Sequence, residues 1–181
     1  MTLLAAFQVL LSRYSGQRDI CVGTPIANRM AADTESLIGF FANMLVLRTD
    51  LSGDPTVIEL LHRVRETALG AHAHQDVPFE KLVEELQAGR HLSRSPLFQV
   101  VLSMQNVPQQ SLELQGLTLS SMGSENGTAK FDLNLSITET PKEIAGSLEY
   151  NVHLFGASTV ARMVNHFQML LHVMVSGPEQ H

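Results

Sequence analysis

The chain has 181 residues, of which 44% are hydrophobic and 17% charged, and its formal net charge is −6; this length suits one domain with a buried core. The acidic balance and the scattered arginines argue against nucleic-acid binding, and no apolar run reaches the roughly 18 residues that would cross a membrane. The single cysteine, Cys21, excludes a disulfide framework and a multi-cysteine zinc site and favours a cytoplasmic location.

The first half of the chain predicts alternating helices and strands. Apolar residues at helical spacing predict a helix over 3–14, which the following Ser-Gly pair ends. Short apolar, β-branched runs at 19–26 and 43–48 predict strands. A turn then leads into a helix over 56–72, for which Asp54 is the expected N-cap residue.

The second half predicts further strands between two helices. A helix begins near Asp76, which is its expected N-cap residue. Alternating apolar residues predict strands at 97–105 and 131–138, and the second of these is expected to form an antiparallel hairpin with 144–151. A last amphipathic helix is predicted over 158–175.

One domain over 1–181 is expected, since no repeat or low-complexity tract divides the chain. Helices and strands mix without strict alternation, which predicts an α/β fold or α+β sandwich with a mixed sheet packed against helices. The polar segment 107–130, which has only short apolar pieces, is expected to be a mobile loop.

Three segments carry the most specific signal. They are Ile-Gly-Phe-Phe-Ala-Asn-Met-Leu-Val-Leu-Arg at 38–48, His-Gln-Asp-Val-Pro-Phe-Glu at 74–80 and Arg-His-Leu-Ser-Arg-Ser-Pro-Leu-Phe-Gln at 90–99. In this order they resemble the fifth, sixth and seventh core motifs of the condensation domains of nonribosomal peptide synthetases, although His91 stands where that family usually has Asp. The family's His-His-x-x-x-Asp-Gly motif, which lies in the N-terminal lobe, does not occur in these 181 residues.

The resemblance implies both a fold and a function. The fold would be the C-terminal lobe of a chloramphenicol-acetyltransferase-like pair of lobes. In the family, a donor and an acceptor, each held as a phosphopantetheine thioester on a carrier protein, meet in a tunnel between the lobes and form an amide. The chain would supply tunnel wall, with no catalytic residue and no directly bound cofactor. Its implied partners are the N-terminal lobe, peptidyl carrier proteins and the adjacent adenylation domain.

The resemblance also selects candidate site residues. Candidates for the substrate tunnel or lobe interface are Asn43, Arg48, His74, Gln75 and Asp76, and candidates for carrier docking are Arg90 and Arg94. For each of them a structural alternative stays open. Arg48 could form an ion pair, Asn43 could bind backbone groups, Asp76 could cap a helix, and the two docking arginines could pair with local acids.

A metal site is a further alternative for part of this region. His72, His74 and Asp76 recur at a spacing of two residues, which in an extended strand would bring three metal-ligating groups to one side. A helix end followed by a capped turn would separate them, and no fourth ligand lies close in the sequence. We therefore predict that the chain binds no metal.

Two other functions stay open beside a condensation lobe. One is a non-catalytic interaction module that binds a carrier protein or a partner lobe, and the other is the lobe of an epimerisation or cyclisation domain. The apolar composition with few charges also predicts exposed apolar surface. We therefore expect self-association, with a homodimer through the exposed lobe interface as its simplest form.

Overall fold

The computed structural model describes residues 1–29, 32–35, 37–86, 95–105, 127–140 and 143–181. Its elements follow the chain in the order α1 (Thr2–Ser15), β1 (Asp19–Ile26), α2 (Ala32–Glu35), β2 (Asn43–Asp50), α3 (Val57–Ala73), α4 (Phe79–Glu85), β3 (Val100–Gln105), β4 (Leu133–Glu139), β5 (Ile144–Tyr150) and α5 (Ala157–Ser176). None of the helices in the described ranges is long and apolar enough to span a membrane. Of the expected loop at 107–130, only 127–130 lies within the described residues.

The five strands form one mixed sheet in the order β2-β1-β3-β4-β5. Strand β1 pairs antiparallel with β2 and parallel with β3, and β3 pairs parallel with β4. Strands β4 and β5 form the antiparallel hairpin expected from the sequence. A mixed sheet packed against helices confirms the expected α+β class.

The core lies between one face of the sheet and the helices α1, α3 and α5. Leu133, Leu135 and Ile137 alternate along β4 and are all buried, as their spacing of two predicts. They join the apolar stripe of α1, in which Phe7 is fully buried. The ring of Phe7 meets that of Phe167 in α5 edge to face, with 6.2 Å between the ring centres. This face therefore holds the apolar area that stabilises the fold.

The N-terminus of α3 differs from the prediction, because Asp54 does not cap it. Asp54 lies in the preceding turn with a φ of 50°. The N-cap is Thr56, whose hydroxyl accepts from the N–H of Glu59 at 3.3 Å, while the Glu59 carboxylate accepts from the N–H of Thr56 at 2.9 Å. Both Asp and Thr are favourable N-cap residues, so the backbone of the turn decided which of them begins the helix.

Strand β3 begins at Val100, later than the predicted start at 97. The chain turns just before the strand, where Leu97 has a φ of 71°. The N–H of Phe98 donates to the carbonyl of Pro96 at 2.9 Å, which closes this turn. The apolar residues at the start of the predicted strand therefore belong to the turn that leads into it.

Candidate functional site

Asn43, the first residue of β2, joins two of the motif segments. Its Nδ2 donates to the carbonyls of Gln75 at 2.9 Å and Val77 at 2.8 Å. Its Oδ1 accepts from the N–H groups of Met44 at 2.9 Å and Phe79 at 3.1 Å. An amide side chain donates two hydrogen bonds and accepts two, so the backbone engages all four positions. This geometry supports the structural alternative for Asn43.

Asp76 does not cap α4, which corrects the expected N-cap. The N-cap residue is Pro78, and the first N–H of the helix, at Phe79, donates to the side chain of Asn43 instead. Asp76 itself is exposed. The error has a tertiary cause, because Asn43 reaches the helix end from a neighbouring strand and local capping rules consider only adjacent residues.

His74 and Gln75 form the turn that follows α3. His74 is the C-cap residue of that helix, and its N–H donates to the carbonyl of Ala71 at 3.2 Å. Its carbonyl accepts from the N–H of Val77 at 3.1 Å. The side chain of His74 is exposed and that of Gln75 is half-buried. Their backbone groups shape the turn, and a contact of either side chain with substrate stays a prediction.

Three phenylalanines from different segments meet next to this turn. The ring centres of Phe79 and Phe98 are 5.4 Å apart, and those of Phe98 and Phe131 are 6.0 Å apart. Phe98 is buried and lies directly on Gly23 of β1, where an added Cβ would be 2.6 Å from Cδ2 of the ring. A side chain at position 23 would collide with the ring. The motif segments therefore build a packed support at this end of the sheet.

Arg48, near the end of β2, forms an ion pair with Asp19 of β1. Its Nε lies 2.9 Å from Oδ1 of Asp19, and its Nη2 lies 2.6 Å from Oδ2. Hydrogen bonding from Arg48 lowers the pKa of Asp19 below its ordinary value. Both side chains are more than half exposed, so the pair contributes little to stability. The geometry matches the structural alternative for Arg48, and a substrate contact of its guanidinium stays a prediction.

Cys21 lies opposite Arg48 in the register of β1 and β2. Burial raises the pKa of its thiol, the negative charge of Asp19 raises it further, and the positive charge of Arg48 lowers it. The thiol therefore stays protonated at neutral pH. A protonated thiol is a poor nucleophile, so Cys21 is not a candidate catalytic group.

The face of the sheet opposite the helices carries small polar side chains around β3, β4 and β5. Successive residues of a strand point to opposite faces, so the residues between the buried ones of β4 point away from the core. The strand register places Ser103 beside Ser136 and Ser136 beside Ser147. We call these three residues the serine row. Ser103 also donates to Oδ1 of Asn134 at 3.3 Å. All four side chains are half-buried or exposed, so solvent reaches this face.

The serine row can bind a polar chain but offers no strong acid or base. Each hydroxyl donates one hydrogen bond and can accept two. Neighbouring strands lie about 4.8 Å apart, so the row spans roughly 10 Å across the sheet. Groups of this kind can orient an amide-bearing ligand, and they cannot by themselves move a proton to or from a reacting amine.

The sequence analysis did not select the serine row. Its members lie on three strands and belong to none of the three motifs, and only the strand register brings them into one line. The available signal was the polar half of the alternation over 131–138. That signal predicts a second face of the sheet, but it does not identify the residues on neighbouring strands.

The remaining predictions concern charged and metal-ligating residues. His72, His74 and Asp76 span the end of α3 and the turn after it. Within the described ranges, no three His, Cys, Asp or Glu side chains gather as a metal site would require, and the absence of a metal stays a prediction. Arg90 and Arg94 lie outside the described residues.

Comparison with known proteins gives consistent matches along the whole chain. A family model described as the condensation domain matches residues 1–181. The chain is 56% identical to a linear gramicidin synthase of Brevibacillus parabrevis, over 99% of the chain and 4% of that protein. It is 47% identical to malpinin synthetase of Mortierella alpina, over 99% of the chain and 2% of that protein. The chain thus spans a few per cent of the length of these relatives.

Solved structures with the same fold include two peptide-synthetase proteins. A four-domain nonribosomal peptide synthetase bound to AMP and glycine matches with a TM-score of 0.89 and 25% identity, over 99% of the chain and 15% of that protein. The X-domain from teicoplanin biosynthesis matches with a TM-score of 0.88 and 33% identity, over 99% of the chain and 42% of that protein. The X-domain has also been solved as a complex with OxyB. These neighbours confirm the expected chloramphenicol-acetyltransferase-like lobe.

Proposed function

Because the chain belongs to the condensation domain family of nonribosomal peptide synthetases, whose function is peptide-bond formation, we propose that it is the C-terminal lobe of one such domain. The parent domain joins a carrier-bound aminoacyl or peptidyl donor to a carrier-bound acceptor. This lobe supplies one wall of the substrate tunnel. The phosphopantetheine arms remain attached to the partner carrier proteins, and the chain itself binds no cofactor.

The open polar face around the serine row is the observation that supports the wall role. A phosphopantetheine arm and its aminoacyl group bring several amides and a hydroxyl, which need hydrogen-bond partners once they leave water. The hydroxyl of Ser136, at the centre of the row, and the amide of Asn134 offer such partners without a net charge. Their small size also leaves room for an extended ligand over the sheet.

The motif residues act by holding this wall in place. Asn43 ties the turn before α4 to the sheet through its four backbone hydrogen bonds. Phe98 fills the space over Gly23. Neither arrangement places a free acid or base near a substrate, and the family's histidine motif does not occur in these 181 residues. We therefore expect the isolated chain to be inactive.

Incubation of the chain with loaded donor and acceptor carrier proteins tests this expectation. The dipeptidyl thioester is measured by mass spectrometry, and we expect no product above the level formed without the chain. Product formation above that level would contradict the assignment of the chain as half of a catalytic domain.

The wall role is tested by Ser136→Ala in a two-lobe domain that contains this chain. Removal of the hydroxyl should reduce kcat/KM for dipeptide formation by roughly tenfold, because about one hydrogen bond to the substrate is lost. The melting temperature should stay unchanged. Ser158→Ala, at an exposed position early in α5, is the matched control. Equal rates for the two variants would argue against contact between the serine row and the substrate.

A non-catalytic interaction module is the second candidate function. It is favoured by the X-domain, which is 33% identical to this chain and has been solved in complex with another protein. A lobe of an epimerisation or cyclisation domain is a further alternative. Restored product formation on addition of an N-terminal lobe would favour the condensation function, and binding without product would favour the interaction module.

The partners that this function implies are the N-terminal lobe, peptidyl carrier proteins and an adjacent adenylation domain. The similarity to very long synthetases, of which the chain spans a few per cent, supports such neighbours. A cytoplasmic location agrees with the single cysteine and stays a prediction.

A further inference from the structure

The segment that leads from α2 to β2 exposes two large apolar side chains. Ile38 is fully exposed and Phe40 is 93% exposed, and Leu37 next to them is 52% exposed. We call 37–41 the apolar loop. One exposed apolar residue is ordinary in a folded protein. Two that are almost entirely exposed within three residues, extended by a third, are typical of an association site.

Arg29 holds the apolar loop in place from its inner side. Its guanidinium donates to the carbonyls of Leu37 at 2.8 Å and Gly39 at 3.3 Å, and also to the carbonyl of Thr34. Its Cζ lies 4.3 Å from the centre of the Phe41 ring, which adds a cation–π contact. The conformation of the loop therefore depends on this arginine, and it does not require burial of the two exposed side chains.

This combination is typical of a preorganised binding anchor. A loop that already has its bound conformation loses little conformational entropy when a partner arrives. Large apolar and aromatic side chains that become buried at the centre of an interface supply most of its binding energy. Ile38 and Phe40 meet both conditions, since their surfaces are not used inside the chain.

We propose that Ile38 and Phe40 anchor this chain to the N-terminal lobe of its own condensation domain. The inference rests on the proposed function and extends it by naming the contact. Two observations favour a lobe over a carrier protein as the partner. The chain matches 42% of the solved X-domain, so more than half of such a domain is supplied by other residues. The side chains that the loop exposes are apolar, and apolar surfaces are characteristic of permanent interfaces.

The test uses the N-terminal lobe of the matching domain in the linear gramicidin synthase of Brevibacillus parabrevis, because that relative is 56% identical to this chain. The lobe is joined to the chain by a linker with a protease site, so that both fold together before cleavage. Sedimentation velocity over a dilution series then measures whether the cut lobes stay associated. We expect the wild-type pair to stay associated and the Ile38→Ser/Phe40→Ser pair to separate at a concentration at least about tenfold higher.

Val152→Ser/Leu154→Ser is the matched control. It removes two apolar side chains that are 72% and 56% exposed from a different surface, and the cut lobes should stay associated as in the wild type. Arg29→Lys keeps the charge but loses the forked hydrogen bonds to the loop, so it should weaken the association with both anchors present.

The melting temperature of the 181-residue chain separates binding from folding. We expect no change for the double variant, and if it melts lower, Phe40→Ser alone is measured with the same expectation. Equal association of the double variant and the wild type would overturn the inference, as would weaker binding of a loaded carrier protein with lobe association intact. Separation of the wild-type lobes directly after cleavage would instead contradict the lobe assignment itself.

Discussion

The charged groups around Cys21 make this thiol a sensitive probe at the scale of single residues. Asp19 and Arg48 act on the thiol with opposite signs, since the first raises its pKa and the second lowers it. Because the two side chains also form an ion pair with each other, a change in either one alters the charge that the thiol senses. The chain has no other cysteine, so a thiol reagent reports on this position alone.

We predict that Asp19→Asn lowers the pKa of Cys21 and that Arg48→Ala raises it. The first change removes a negative charge that opposes the thiolate, and the second removes a positive charge that favours it. The rate of alkylation by iodoacetamide, measured against pH, gives the pKa in each variant. Glu149→Gln, three strands away in the sheet, should leave the profile unchanged. A shift of the same sign in both ion-pair variants would show that this geometry is wrong.

The same ion pair makes a small, pH-dependent contribution to stability. Arg48 lowers the pKa of Asp19 in the folded chain, so this contribution is present above the ordinary aspartate pKa and is lost as the pH falls through the folded-state value. Since both side chains are more than half exposed, Arg48→Ala should lower the melting temperature at pH 7 by at most about 2 °C. A large loss of stability would show that Arg48 has structural partners beyond Asp19.

Asn43 has a larger effect, because one side chain satisfies four backbone groups. We predict that Asn43→Ala destabilises the chain by about 1–3 kcal/mol, since it leaves the N–H of Phe79 and two carbonyls without this partner. Asn43→Asp should recover part of the loss, because a carboxylate accepts from the N–H groups but cannot donate to the carbonyls. Urea unfolding measures both variants, with Asn165→Ala on the exposed side of α5 as control. Equal stability of Asn43→Ala and the control would contradict this role.

At the scale of elements, the motif segments owe their effect to the way they connect the sheet to α4. Phe79 begins that helix, Phe98 precedes β3 and Phe131 precedes β4, and their rings are in contact. The absence of a side chain at Gly23 lets Phe98 reach β1. A run of apolar letters in a motif thus marks a joint between three elements.

Gly23→Ala should therefore destabilise the chain by about 1–3 kcal/mol, because the new methyl group would overlap the ring of Phe98. Gly146→Ala is the matched control, since it also lies in a strand but an added Cβ there meets nothing closer than 3.7 Å, and it should be neutral or slightly stabilising. Chemical unfolding measures both. Phe98→Leu combined with Gly23→Ala should cost less than the sum of the single changes, and full additivity would rule out the proposed contact.

At the scale of the whole molecule, one face of the sheet is buried by helices and the other is partly open. The open face carries the serine row, and the apolar loop lies before β2. Further large apolar side chains are exposed on α5, among them Met169 and Val175 at 63% and 76%. A chain with this much uncovered apolar area is expected to associate.

We predict that the chain forms dimers at micromolar concentration, with two-fold symmetry as the simplest arrangement. Burial of apolar surface would drive the association, so it should persist when the salt concentration is raised to about 0.5 M, which screens exposed charges. Sedimentation velocity across a dilution series measures it. A single monomer peak at every concentration, together with no binding of a hydrophobic dye, would mean that the exposed surface does not drive self-association.

Much of the candidate site was recognisable from the sequence, but the roles of its residues were not. The three motifs identified Asn43, Arg48 and the segment from His74 to Asp76 as a group. The structure brings Asn43 and that segment together through hydrogen bonds, while Arg48 pairs with Asp19 instead. Asp76 was wrongly expected to cap α4, because Asn43 supplies the acceptor for that helix from another strand.

The sequence by itself determined what depends on neighbouring residues. Periodicity located the helices and strands, since each must turn an apolar side to the core, and the motifs identified the family. The tertiary structure alone decided what depends on residues far apart in the chain. Strand register aligned Ser103, Ser136 and Ser147, and close approach of two segments set Phe98 on Gly23. Local rules describe a residue and its neighbours in the chain, whereas these contacts arise only when distant strands pair.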